Sequence, residues 1–217
     1  MTSSDERMRD GRITRLVADP HARGYVNVFL DDRFAFRLTV ATAASLRLGT
    51  DLTQAEAARL LDQDGRARAT DSALRFLSGR PHSEREVTRH LAGKGYSEAH
   101  VKHARLRLVD LGLLDDAEFA RWWVANRLAH RPRGQTALRL ELLEHGVDRS
   151  VADAALEGMD EVAPATRLAV AQADRHRHLD RHEFNQRIGV FLQRRGFEFD
   201  AIRRALDCAW EAAREGV

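Results

Sequence analysis

The apolar residues of this chain change their period once, near residue 40. Before it they alternate: Ile13, Leu16 and Val17, then Val26, Val28 and Leu30, then Phe34, Phe36 and Leu38. A period of two predicts strands, and Asp31-Asp32 between the last two runs predicts a tight turn. Residues 25–30 and 33–38 therefore read as a hairpin, with residues 12–18 as a third strand ahead of the Asp19-Pro20 break. After it the spacing becomes helical. Residues 40–48 predict a helix stopped by Gly49, and Thr53 with Glu56 forms a capping box that opens another.

Downstream, one pattern recurs. Gly95, Gly146 and Gly196 are each preceded at four positions by a leucine, Leu91, Leu142 or Leu192, and followed by Tyr96, Val147 or Phe197. Each landmark reads as a helix end, with glycine in the left-handed C-cap and the next apolar residue folded back on the helix. A further helix begins after each, capped by Ser97, Asp148 or Asp200 and turning Val101 and Leu106, Val151 and Leu156, or Ile202 and Leu206 inward. The helix entering each glycine opens at a Ser83/Glu86 box, after Pro132-Arg133-Gly134, or at an Asp180/Glu183 box. A preceding helix completes each unit, with Leu74, Phe76 and Leu77, then Phe119, Trp122, Trp123 and Leu128 behind Asp115/Glu118, then Leu168 and Val170 behind Pro164.

The predicted fold class is mainly α: three tandem three-helix repeats forming an elongated curved array, with an N-terminal β-hairpin or small antiparallel sheet plus helices. The expected divisions are 1–69 for the front extension and 70–114, 115–160 and 161–217 for the repeats.

Composition narrows the function. A single cysteine, Cys208, excludes a disulfide framework and a four-cysteine zinc site, and fits a reducing compartment. It is expected as a small buried thiol on the last apolar face. No apolar run approaches the roughly 18 residues of a membrane span, and no signal-peptide pattern opens the chain, so a cytoplasmic protein is expected. No phosphate-binding Walker loop, nucleophile elbow or paired metal-ligand motif occurs, so neither an enzyme nor a cofactor or metal is expected. His176, His178 and His182 are close in sequence, but a helix start at Asp180 breaks their spacing as ligands.

Of the 35 basic residues all but Lys94 and Lys102 are arginine, yet 33 acids leave a net charge of only +2. Charge is instead concentrated locally. Residues 99–109 hold Lys102 and Arg105 without an acid, and residues 119–140 hold Arg121, Arg127, Arg131, Arg133 and Arg139 without one. Such windows predict a positive stripe for nucleic-acid phosphates or an acidic protein surface, against the plainer expectation of a solvated helix face. Arg85 and Arg89 share one helical face, and Lys94 sits where a cation offsets the helix dipole. Trp122 and Trp123 cannot both point inward, although a core or inter-repeat role is expected for each.

Ser83-Glu84-Arg85-Glu86, Lys94-Gly95-Tyr96, the stretch Leu111-Gly112-Leu113-Leu114-Asp115-Asp116-Ala117-Glu118-Phe119-Ala120, Gly134, and Glu144-His145-Gly146-Val147 together resemble the RecX family of recombination regulators. Residues 111–120 carry the most specific part, since a helix end, a glycine, two apolar residues, an aspartate pair and a new capped helix stand in fixed order. The front end is similar to the extension of longer family members. The resemblance implies a partner, the RecA recombinase filament, whose ATP hydrolysis and strand exchange the family inhibits in DNA repair and the SOS response. It also implies weak binding of single-stranded DNA without sequence specificity, duplex DNA being a further candidate, by a monomer that does not touch membranes. Arg85, Arg89, Lys94, Lys102, Arg105, Arg121, Arg127, Arg131, Arg133 and Arg139 are the candidate contacts, and no catalytic residue is implied. The alternative expectation is a helical-repeat DNA-binding protein acting independently of RecA.

Overall fold

Alternation along the first forty residues produces the expected hairpin: β2 (Tyr25–Leu30) and β3 (Arg33–Thr39) pair antiparallel. Asp31 and Asp32 turn the chain with φ of 46° and 65°, the doubly left-handed geometry of a two-residue hairpin loop. β1 (Gly11–Ala18) joins the other edge of β2, and a two-residue strand, β4 (Asp51–Leu52), which has too little pattern to be legible, completes the order β3-β2-β1-β4. The computed structural model describes residues 10–215. Among them the chain is mainly helical, with this sheet as the small exception.

The chain divides into two compact units, residues 1–76 with 90–110, and residues 77–89 with 111–217. In the first, Ile13, Val28, Leu30, Phe36 and Leu38 point from one sheet face into a core closed by Ala43, Leu52 and Ala57. The helix expected to run to Gly49 is a single turn, α1 (Val40–Ala43). Backbone bonds from Ser45 and Leu46 to the carbonyls three residues back, Thr42 and Ala43, end it, and Leu46 packs on the sheet core. α2 (Gln54–Leu77) opens at Thr53, whose hydroxyl and backbone N–H both donate to Glu56. It is anchored to the sheet by a buried carboxylate that pattern reading misses: Asp64 accepts from the Thr39 N–H at 2.8 Å and its hydroxyl at 2.6 Å. α4 (Glu98–Asp110) completes this unit with the C-terminal part of α3 (Glu84–Gly93), and the His100 ring lies directly over Gly65 of α2.

The second unit contains α5 (Asp116–His130), α6 (Gln135–Glu144) and α7 (Arg149–Leu156), then α8 (Val162–His176), α9 (Arg181–Arg194) and α10 (Phe199–Glu215). One core gathers Phe119, Val124, Leu138, Leu142, Val147 and Leu156, and a second gathers Phe184, Ile188, Leu192, Phe197 and Leu206 with six alanines.

All three glycine landmarks are Schellman turns. The N–H of Tyr96, Val147 or Phe197 bonds back to Leu91, Leu142 or Leu192, while each glycine N–H bonds the carbonyl three residues before it. The leucine is therefore both the acceptor and, in the second unit, the apolar partner of the residue after glycine, which explains its fixed spacing.

Several predicted inward positions are corrected. Leu74, Leu106 and Val170 are exposed, at 39%, 44% and 40% of their surface. Ala73, Ala104, Ala165 and Ala169 are buried on those helices, because a methyl side chain lets two helix backbones approach. Cys208 is exposed. Glu198, not Asp200, stands before the last helix, its carbonyl accepting from the Ile202 N–H at 2.9 Å. Asp115 caps α5 by accepting from the Ala117 N–H at 2.7 Å.

Candidate binding surface

Two helix N-termini dock on two of the Schellman turns, by the same backbone logic. At the first joint the Ser83 hydroxyl donates to the His145 carbonyl at 2.6 Å, and the Glu84 N–H donates to Asp116 Oδ1 at 2.8 Å. At the second, the Gly134 N–H donates to the Arg195 carbonyl at 3.0 Å, and the Gln135 N–H donates to the Glu161 carboxylate. In both cases the acceptor is the residue before the landmark glycine, and a carboxylate from the next repeat takes the first amide of the docked helix. Orphan donors at the helix starts are thereby satisfied inside the repeat contact.

This docking gives Gly146 and Gly196 a second reason to lack a side chain. The Arg85 stem lies across Gly146, where an added Cβ would sit 2.5 Å from the Arg85 Cβ. At Gly196 an added Cβ would meet the Ala137 backbone nitrogen at 2.5 Å. Gly95 has the same positive φ but open space above it.

Glu86 organises the first joint. Its carboxylate pairs with Arg80 at 3.0 Å, His82 at 2.9 Å and His145 at 3.1 Å, and accepts from the Ser83 N–H at 3.3 Å. Burial pushes its pKa up, but hydrogen bonds from Arg80 and His82, with the charges of Arg80 and His145, outweigh this and hold the group below the usual glutamate value. Asp116 shows the opposite balance: burial raises its pKa despite the bond from Glu84, and the neighbouring acids Glu84, Asp148 and Asp115 add to the rise.

Five arginines, Arg127, Arg131, Arg133, Arg194 and Arg195, line a cleft of about 480 Å³. Glu141 binds two of these, Arg127 Nε at 2.8 Å and Arg133 Nε at 3.0 Å, and accepts from Trp123 Nε1 at 2.8 Å. The Arg127 guanidinium lies 4.3 Å from the Trp123 ring centre, and that of Arg195 lies 4.8 Å from Phe191. Arg195 also donates to the Pro132 carbonyl at 3.3 Å. Arg131 and Arg194 are exposed and make no ion pair among the described residues.

Of the candidate contacts, the structure thus brings Arg127, Arg131 and Arg133 together and adds Arg194 and Arg195, which sequence reading did not single out. Their adjacent position beside the Gly196 landmark was the available signal. Residues 119–140 are free of acids only along the chain: Glu141 pairs with both Arg127 and Arg133, and Asp153 pairs with Arg139 at 2.5 Å. Arg85, Arg89 and Arg121 are exposed elsewhere on their helices. In the first unit Lys94 and Lys102 are exposed and Arg105 is half-buried. Trp122 and Trp123 are both half-buried against the core around Phe119. Among the described residues no three His, Cys, Asp or Glu side chains converge as a metal site, and no helix is long and apolar enough to cross a membrane.

Comparison with known proteins places names beside this geometry. Family models for the first, second and third three-helix domains of RecX match residues 69–108, 115–156 and 160–206. Proteins named "Regulatory protein RecX" from Bacillus licheniformis and Bacillus subtilis are 31% and 30% identical over 199 and 200 residues, covering 89% and 90% of this chain and 76% of each relative. The one from Lactobacillus delbrueckii subsp. bulgaricus is 33% identical over 146 residues, and the chain spans only 54% of its length. A crystal structure of a regulatory protein RecX superposes with a TM-score of 0.72 at 23% identity, covering 91% of this chain and 99% of the other. That of RecX from Lactobacillus salivarius gives 0.64 at 24% identity, over 68% and 97%. At these identities the solved structures establish the shared fold.

Proposed function

This chain belongs to the RecX family, and from that premise we propose that it binds RecA polymerised on DNA and restrains its ATP hydrolysis and strand exchange, as a regulator in DNA repair and the SOS response. The observation carrying this is the consecutive run of all three family domains from residue 69 to residue 206. Regulation here is an effect of binding: the chain contributes no chemical step, needs no cofactor, and works as a cytoplasmic monomer. Arg85, Arg89, Arg121 and Arg139, with Lys94, Lys102 and Arg105 of the first unit, are proposed contacts for the filament. The test is a titration into RecA on single-stranded DNA while ATP turnover is followed. Turnover falling with added protein supports the assignment, and unchanged turnover at saturating protein refutes it.

The arginine cleft favours a second reading, in which the repeats bind DNA without RecA. Tight, sequence-selective binding to bare duplex with no effect on RecA would select it.

A further inference from the structure

We infer that copies of this chain join end to end, the start of α9 in one copy docking on the Gly95 turn of the next. The inference goes beyond the filament reading and does not depend on it.

It starts from the two joints inside the chain. Each consists of the helix that enters a landmark glycine, docked by its N-terminus on the landmark turn of the following repeat: α3 on the Gly146 turn and α6 on the Gly196 turn. Docking covers both halves. Ser83 and Gly134, at the starts of α3 and α6, are buried, and His145-Gly146 and Arg195-Gly196 are half-buried. A row of repeats leaves one half of each kind without a mate at its ends. At the start of α9, Asp180, Arg181, His182 and Glu183 are all exposed. At the first landmark turn Lys94 and Gly95 are exposed, with open space where the other two turns hold a helix.

The open halves match in the terms of the joints already made. Among the described residues the Asp180 N–H has no acceptor and the Lys94 carbonyl has no donor, and these are the counterparts of the Gly134 N–H and the Arg195 carbonyl, 3.0 Å apart. Charge agrees. In the first joint the residue before the glycine, His145, pairs with Glu86, the third residue of the docked helix. Lys94 stands at the His145 position and Glu183 at the Glu86 position, with Asp180 as a second carboxylate beside it. Arg181, the cation between them, is held by Asp207 at 2.8 Å. Room agrees as well: a Cβ on Gly146 would meet Arg85 and one on Gly196 would meet Ala137, the second and third residues of the docked helices, and the same space stands free at Gly95.

One contact is missing. Asp116 and Glu161, at the helix starts of the second and third repeats, take the first amide of the docked helix, whereas α2 runs unbroken from Gln54 to Leu77 and offers no such start. The joint between copies is therefore weaker than the two inside the chain, and a dilute chain stays monomeric. Copies held side by side on a polymer differ, since their effective concentration reaches the millimolar range. The contact uses different surfaces on the two copies, so it adds copies in series rather than closing a pair. In the last copy of a row Lys94 stays open to another partner.

The test is sedimentation equilibrium of the full chain up to about 1 mM, the effective concentration of neighbouring tethered sites, in reducing buffer because Cys208 is exposed. The average mass should keep rising with concentration. Lys94→Glu and Glu183→Lys should each weaken association by about tenfold, since each turns an attraction into a repulsion. Both positions are exposed, so circular dichroism and the melting temperature should hold. The double variant Lys94→Glu, Glu183→Lys should associate like the wild type, because the pair is only reversed in sign. Gly95→Asn, which tolerates the left-handed turn but adds a side chain, should abolish association. Glu211→Lys, exposed on α10, should leave it as it is. A mass fixed at one chain up to 1 mM would overturn the inference, as would a plateau at two chains, association indifferent to the Lys94 and Gly95 variants, or a double variant no stronger than the single ones. Association as described with RecA turnover untouched would refute the filament reading and leave this joint standing.

Discussion

Replacing Gly95, Gly146 and Gly196 by alanine, one at a time, separates two reasons for glycine at the repeat turns. All three have φ between 80° and 86°, so each alanine incurs the left-handed penalty of about 1–2 kcal/mol. The entropy each substitution removes from the unfolded chain is the same and cancels in the comparison. Space then decides the order. Nothing lies within 4 Å of the position a Gly95 Cβ would take, so Gly95→Ala should cost the backbone penalty alone. At Gly146 the new methyl meets the stem of Arg85, an exposed side chain that can shift part of the way. At Gly196 it meets the nitrogen and Cβ of Ala137 at 2.5 Å and its Cα at 3.0 Å, and the α6 backbone cannot move without breaking the Gly134 to Arg195 bond. Overpacking of this kind adds about 1–3 kcal/mol, giving a total of about 2–5 kcal/mol for Gly196→Ala. Urea unfolding followed by circular dichroism measures all three, with separate fits if the two compact units unfold apart. A Gly196→Ala protein no less stable than Gly95→Ala would refute the docking argument and leave only the C-cap.

Glu86→Gln tests the first joint by its pH dependence. The folded carboxylate titrates below the ordinary 4.5 and the unfolded one near it, so between these values the unfolded chain binds more protons and stability rises with pH. Its contribution is complete above about pH 4.5 and disappears as pH falls through the folded value; the variant should show a flatter acid limb in melting temperature, and an unchanged limb would remove Glu86 from the account. Asp116 has the reverse sign, its pKa being raised, so the ionised form opposes folding as pH climbs above 3.8. Asp116→Asn, which keeps an acceptor for the Glu84 N–H, should match or exceed the wild type at neutral pH, whereas Asp116→Ala should lose about 0.5–2 kcal/mol in chemical denaturation. Arg127→Glu should lower stability as well as binding, because the new carboxylate would face Glu141, and a melting temperature equal to the wild type would contradict that pairing.

What could be read in advance was whatever the local chain determines. The Leu-x-x-x-Gly-apolar signature encodes a complete Schellman turn, with acceptor, left-handed glycine and packing partner inside six residues, so its three copies announced the repeat. The boxes at Thr53 and Ser83 were equally local. Faces built from alanine were not legible: Ala165, Ala169 and Ala173 line up on one side of α8, but a methyl group gives a weak apolar signal and the larger Val170 drew attention outward. The arginine cleft was half legible. Counting acids along residues 119–140 found Arg127, Arg131 and Arg133, yet Glu141 lies one residue past that window, and Arg194 and Arg195 reach the site only through the docking at Gly134. Long-range assembly of this sort leaves no periodic trace.

The central claim is that the protein recognises RecA as a polymer on DNA. A pull-down of purified RecA by this chain, with ATP and with or without single-stranded DNA, tests that most directly. Retention of RecA that depends on the DNA and exceeds what the chain's own DNA binding brings down is the predicted result. Equal recovery with and without DNA, or none in either case, would contradict it.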